Sequence, residues 1–347
     1  QNTWGDDERR SMDDIEAMPE RLAAFLGERT GRSVTVESYV PMTGGYSRLM
    51  ARADVIWDDG SDERLVVRGD PPAGQALMET DRDQEWALIT ALTAAGTVPM
   101  PAARWYDDTG ETLGTKAIIL DFCPGPSFQQ VLDTCAGEFG EHPLRLAEIM
   151  GHLHTSDRSV VDGVLPAAVD WGAHMADLVG AFAAIEASAH EAEPVLRYAA
   201  GFLGANLPPP LPLTIVHGDF QPANMMVDEQ GSHLLVDWEL CHIGDPREDL
   251  GYYNIYSSSS GPNLYASDPE AFLDRYREVT GFDAEAVNQA TVGYFSSIAA
   301  VKLWGQILAG AGAMAEGSNS GIMTTYTINA LSIGRQNFLL ACDELGV

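Results

Sequence analysis

Lysine is nearly missing from this chain of 347 residues: only Lys116 and Lys302 occur. Lys plus Arg number 20 against 51 Asp plus Glu, for a formal net charge of −31. Nucleic acid is thereby excluded as an expected partner, because a phosphate backbone is bound through clustered cations. An anionic membrane surface is disfavoured for the same reason. Charged residues make up 20% of the chain, so the imbalance reflects missing cations more than surplus charge. The acidity suits either a cationic ligand or plain solubility. Also missing is any C-x-x-C pair: Cys123, Cys135, Cys241 and Cys342 are scattered, which argues for reduced thiols in a cytoplasmic setting over a disulfide framework or a zinc site. Long apolar runs are lacking too. The most apolar stretch, residues 292–315, is interrupted by Lys302 and Gln306 and reads as a buried helix, not a membrane span. The first residues, QNTWGDDERRSMDD, hold no basic region followed by an apolar core, so no secretory leader is expected. No G-x-x-x-x-G-K-[ST] occurs, which excludes a P-loop kinase.

What is present suffices for a large core: 45% of residues are hydrophobic and the length allows more than one lobe. Leu22, Phe25 and Leu26 recur at helical spacing and predict a helix over residues 19–29, with Pro19 in its first turn and Gly31 as its stop. VTVESYV, SRLMARADVIW and ERLVVRGD then alternate or are β-branched, separated by TGGY and DDGSD, and predict a meander of antiparallel strands. Residues 81–93 are helical in period, and two more strands follow before Pro124-Gly125-Pro126. Beyond that point helices dominate, over residues 144–155, 171–186 and 192–204, around a short β insert between Leu213 and Tyr253 and again from Asp268 on. The expected class is α+β. Its predicted divisions are an N-terminal helical segment (1–33), a β-rich lobe (34–124) and a helical lobe (125–347), with a cleft between lobes as the expected ligand site.

The chemistry concentrates in residues 215–239, IVHGDFQPANMMVDEQGSHLLVDWE. His217-Gly218-Asp219 precedes Asn224 by a short loop, and the turn DEQGS predicts a hairpin that folds Asp237 back beside Asn224. Phosphoryl transfer needs such a set: a carboxylate to orient and deprotonate an attacking hydroxyl, and oxygen ligands to hold Mg²⁺ against nucleotide phosphates. Asp219 is the expected base, and Asn224 and Asp237 the expected metal ligands.

In these residues the chain resembles the aminoglycoside phosphotransferase and choline kinase superfamily, and within it the phosphotransferases related to the kinase-like domains of some acyl-CoA dehydrogenases. HGDFQPAN is similar to the family's catalytic loop, and DWE stands where a protein kinase has D-F-G. The likeness runs on through LCHIGDPREDLGYY and FLDRYREVTG. It implies a protein-kinase-like two-lobed fold, with ATP or GTP bound by the β-rich lobe and a small-molecule hydroxyl acceptor on the helical one. By the same resemblance Gly44, Gly45, Tyr46 and Ser47 approach the phosphates. Arg68 takes the place of the phosphate-binding lysine, keeping a permanent charge and a bidentate fork, and Glu85 is its partner. Backbone groups of Asp121, Phe122 and Cys123 are expected to meet the nucleobase. Asp249 is expected to brace the catalytic loop, and His217 and His154 to have structural roles. For the acceptor three readings stand: an aminoglycoside, a hydroxy acid or its CoA thioester, or none in a silent nucleotide-binding module.

Overall fold

The first helix is longer than its apolar period predicts. The computed structural model describes residues 6–42, 49–70, 81–96, 98–167, 169–188 and 194–315, and in it α1 spans Asp6–Thr30 with Pro19 in the interior. A proline there removes one helical hydrogen bond, and the burial of the next two turns offsets the loss. Leu22, Phe25 and Leu26 are at most 1% exposed and pack with Ala53, Val55, Trp57, Leu65 and Ile119. Burying one such side chain contributes about 1.5–3 kcal/mol. Gly31, at φ +69°, ends the helix by donating its N–H to Gly27 O at 2.9 Å.

Strands β1 (Val34–Pro41), β2 (Leu49–Trp57) and β3 (Asp62–Gly69) form the meander, followed by α2 (Arg82–Ala95), β4 (Ala103–Asp107) and β5 (Ala117–Asp121). All pairings are antiparallel, and the sheet order is β1-β2-β3-β5-β4. Along β2 the buried residues Ala51, Ala53, Val55 and Trp57 alternate with less buried ones, the period-two pattern of a strand with one covered face. In β3 Leu65, Val66 and Val67 are all buried, so both faces of the sheet's middle are covered. β5 pairs with β3 on one side and β4 on the other, and the β4–β5 hairpin closes on Asp107. Its buried carboxylate accepts the N–H groups of Gly110, Thr112 and Leu113.

The rest is mainly helical: α3 (Phe128–Asp133), α4 (His142–His154), α5 (Trp171–Ser188) and α6 (Pro194–Ala205), then β6 (Thr214–Val216), β7 (Met225–Val227), β8 (His233–Leu235) and β9 (His242–Gly244), then α7 (Arg247–Ser260), α8 (Leu264–Ser267), α9 (Pro269–Thr280) and α10 (Gln289–Ala315). β6 pairs with β9 and β7 with β8, both antiparallel. The α+β class expected from the sequence holds. Two compact units result: the described residues up to Thr93 with Pro101–Pro124, and Ala94–Met100 with the described residues from Gly125 on. The second unit's core includes Met175, Phe182, Leu196, Leu203, Tyr294 and Phe295. There α7 and α10 meet backbone to backbone, since a Cβ on Gly251 would lie 2.3 Å from the Phe295 carbonyl carbon. Among the described residues no helix is long and apolar enough to cross a membrane.

Candidate active site

β6 delivers the chain to His217, and the next residue sets the shape of the loop. Gly218 has φ +81°, and a Cβ there would stand 2.4 Å from Leu240 O, so only glycine fits. The backbone N–H groups of His217 and Gly218 both donate, at 2.9 Å, to the Asp249 carboxylate in the first turn of α7. Its other visible partner is His154 Nε2 at 3.1 Å, and His154 Nδ1 lies 2.7 Å from the Tyr276 hydroxyl. A neutral ring satisfies both contacts, Nε2–H donating to the carboxylate and Nδ1 accepting from Tyr276. Burial disfavours the Asp249 charge, yet the donors from His154 and the loop backbone hold its pKa below the ordinary carboxylate value. His217 is fixed similarly: Nε2 faces Val236 O at 3.0 Å and Nδ1 faces the Asp219 N–H at 3.3 Å. Both histidines shape the loop; neither ring meets the Asp219 carboxylate.

That carboxylate receives three side-chain donors. Oδ1 accepts from Gln221 Nε2 at 2.7 Å and from the Tyr252 hydroxyl at 2.5 Å, and Oδ2 accepts from Asn224 Nδ2 at 2.7 Å. Two donors fill the lone pairs of Oδ1, so Oδ2 retains one. Burial raises the Asp219 pKa above the usual carboxylate value and the Asp237 charge adds to the rise, while Tyr252 and Asn224 pull the other way. Asn224 Nδ2 also donates to Asp219 O at 3.0 Å. With its amino group committed twice to one residue, the amide presents its carbonyl oxygen elsewhere.

The β7–β8 hairpin brings Asp237 back, and Val236 N–H donates to Asn224 O at 3.0 Å. Asp237 itself is left-handed, φ 69° and ψ 62°, a conformation that costs a non-glycine residue about 1–2 kcal/mol. Buried Trp238 anchors the next position, its ring 4.8 Å from that of His217. Asn224 and Asp237 thus offer an amide oxygen and a carboxylate, hard donors that fit Mg²⁺. Among the described residues no three His, Cys, Asp or Glu side chains converge as a metal cage. A metal held by this pair would therefore draw further oxygens from its substrate, as Mg²⁺ does with nucleotides.

In the first unit Arg68 Nη1 lies 3.1 Å from Glu85 Oε1, both side chains at most 7% exposed. Arg82 joins them, a residue that the sequence motifs do not single out. Its Nη1 lies 2.6 Å from Glu85 Oε2 and its Nη2 2.6 Å from Asp70 Oδ1, so Glu85 bridges two guanidiniums. The three-residue spacing from Arg82 to Glu85 is the signal that could have found it. Tyr252 is a second unforeseen member of the site; its signal is a position three residues past Asp249, on the same face of a helix. Gly44, Gly45, Tyr46 and Ser47 lie outside the described residues. At the end of β5 the N–H of Asp121 already donates to Ala102 O at 3.0 Å and that of Phe122 to Arg64 O at 3.3 Å. The nucleobase role expected for this trio therefore narrows to the Cys123 N–H and the carbonyls.

The sequence profile described as the phosphotransferase enzyme family matches residues 45–284. Acyl-CoA dehydrogenase family member 10 of Mus musculus is 24% identical over 226 residues, 59% of this chain and 20% of that protein. The chain therefore matches only a minor part of that longer relative. Among solved structures, a Ralstonia eutropha JMP134 protein named as a candidate aminoglycoside phosphotransferase superposes with TM-score 0.68 at 17% identity, covering 93% of this chain and 98% of its own. A thermostable mutant of the aminoglycoside phosphotransferase APH(4)-Ia, in complex with AMP-PNP and hygromycin B, superposes with TM-score 0.63 at 14% identity, covering 93% and 98%. The protein-kinase-like fold is common to all of these structures.

Proposed function

Since the chain belongs to the phosphotransferase enzyme family, we propose that it transfers the γ-phosphoryl group of ATP or GTP to a hydroxyl of a small molecule. The observation that carries this reading is the Asp219 carboxylate, held by Gln221, Tyr252 and Asn224 with one lone pair of Oδ2 left over. A hydroxyl placed against Oδ2 gives up its proton there, its oxygen bonds to the γ-phosphorus, and the bond from that phosphorus to the β–γ bridging oxygen breaks. The nucleoside diphosphate leaves with the bridging oxygen. A raised pKa suits this base, because a carboxylate with higher proton affinity accepts the hydroxyl proton more readily.

Asn224 and Asp237 would hold Mg²⁺, which when bound neutralises charge on the phosphate oxygens. Residues 34–124 would carry the nucleotide side and residues 125–347 the acceptor side. Arg68, fixed by Glu85, would face nucleotide phosphates, and Arg82 would position Glu85. Gly44, Gly45, Tyr46 and Ser47 would cover the phosphates, and Cys123 would offer its N–H to the base. The scattered cysteines, with no C-x-x-C pair, are what supports a reducing compartment such as the cytoplasm. The test is release of ADP or GDP from the Mg²⁺-nucleotide. Asp219→Ala should lower turnover by about 10²-fold or more while nucleotide affinity stays. Full activity in that variant would sink the assignment, and nucleotide binding without any diphosphate release by the native chain would leave a silent binding module.

A further inference from the structure

Which acceptor the chain selects is a question inside the kinase reading, and any answer to it rests on that reading. Glu248, the neighbour of the loop brace Asp249, has a side chain 6% exposed and gathers four donors. Its Oε1 accepts from the Asp245 N–H at 3.0 Å and faces His174 Nε2 at 2.7 Å; its Oε2 faces His242 Nε2 at 3.3 Å and accepts from Lys302 Nζ at 3.1 Å. On the other edge of His242, Nδ1 faces Leu240 O at 2.9 Å. Both ring nitrogens thus face acceptors, an arrangement that only the imidazolium satisfies fully. Burial opposes that charge, but Glu248 outweighs it and the His242 pKa is raised.

Lys302 and the His242 ring, whose charged form this geometry favours, thus share the one Glu248 carboxylate, and the adjoining Asp245–Arg247 pair neutralises itself. The cluster uses one of only two lysines in a chain of net charge −31. Exposure is divided by sign. The Lys302 side chain is 43% exposed and that of His242 34%, against 6% for Glu248. An incoming molecule meets the cations and not the carboxylate.

The cluster is linked to the base through α7 and through the Leu240 carbonyl. Glu248 and Tyr252 are four residues apart on α7 and so share one face, about 6 Å apart along it. Tyr252 donates to Asp219, and Leu240 O, the acceptor for His242, is the atom that closes on Gly218. We propose that His242 and Lys302 form an oxyanion subsite that holds the carboxylate or phosphate of a hydroxylated acceptor while its hydroxyl is presented to Asp219. A polycationic antibiotic would meet like charge at this point.

Calorimetry on the full chain tests this with short hydroxy acids, their neutral methyl esters, hydroxyalkyl phosphates and kanamycin. The expected result is that one or both anionic classes bind about tenfold or more tighter than the esters, and the class that does so tells carboxylate from phosphate. Lys302→Met and His242→Gln should erase that preference, and Lys302→Arg should keep it, with circular dichroism melts checking that each variant folds. No preference for either anionic class, a preference that survives Lys302→Met, or tighter binding of kanamycin would each overturn the subsite. Diphosphate release by the native chain reads the kinase assignment separately, because anion binding does not require turnover.

Discussion

Replacing Asp249 by asparagine changes one atom and should disturb the whole catalytic loop. The native carboxylate is fully buried and receives the N–H groups of His217 and Gly218 and the His154 Nε2–H. An asparagine has one acceptor oxygen. If that oxygen takes the place of Oδ2, it serves His217 and His154, and its amino group then opposes the Gly218 N–H. If it is flipped, the amino group opposes the His217 N–H instead. Either way one buried backbone donor is left unpaired, at about 1–3 kcal/mol, and the remaining bonds lose their charge assistance. The total is about 3–5 kcal/mol, a large share of the roughly 5–15 kcal/mol that holds a folded domain. Volume is conserved, so urea unfolding followed by tryptophan fluorescence would report the hydrogen bonds and not a cavity. Turnover should fall by about 10²-fold, because Asp219 directly follows the two tethered residues and small misplacements are costly. Asp249 has a depressed pKa in the folded state, so its contribution is complete above the unfolded carboxylate value of about 4 and is lost as pH falls through the folded value. The stability gap between native chain and variant should therefore narrow only in acid. A stability change under about 0.5 kcal/mol at neutral pH, with full turnover, would refute the bracing role.

Tyr252→Phe removes a donor to the Asp219 carboxylate. The charged form loses support, so the acid limb of kcat/KM should move to higher pH, with turnover recovering in alkaline buffer; an unmoved limb would show that the hydroxyl does not tune the base. Arg82→Met strips a buried partner from both Glu85 and Asp70. It should cost about 3–5 kcal/mol in thermal or urea unfolding and weaken nucleotide binding measured by calorimetry, whereas neutral behaviour in both assays would mean Arg68 alone suffices for Glu85.

The loop of residues 217–224 is readable from sequence because its internal bonds join near neighbours: Asp219 to Gln221 and Asn224. The hairpin that returns Asp237 is readable for the same reason, its turn chemistry being local. Tyr252 lies 33 residues from Asp219, and Lys302 lies 54 from Glu248. Tertiary packing connects such pairs, α7 against the loop after β6 for the first and α7 against α10 for the second. The N-terminal helix shows a milder version of the limit. Its apolar period marks the turns of Leu22, Phe25 and Leu26, which pack into the core, while the helix itself starts at Asp6. Arg82 is intermediate: its spacing to Glu85 is visible in the sequence, but its link to Asp70 depends on how α2 is placed after β3.

The tethers of the catalytic loop have a consequence for how this protein can change over generations. His154 and Tyr276 hold Asp249 from α4 and α9, whereas His174 and Lys302 approach Glu248 from α5 and α10. If Asp219 is the base and His242 and Lys302 the subsite, the helical supports of reaction and selection differ, and the two meet on α7 at adjacent residues and at β9, which pairs with β6. Substitutions accumulating on α5 and α10 can redraw the range of molecules accepted while the supports of the base stay untouched. A lineage built this way can adopt new compounds without reinventing its chemistry, and a laboratory seeking altered specificity should draw its libraries from those same two helices.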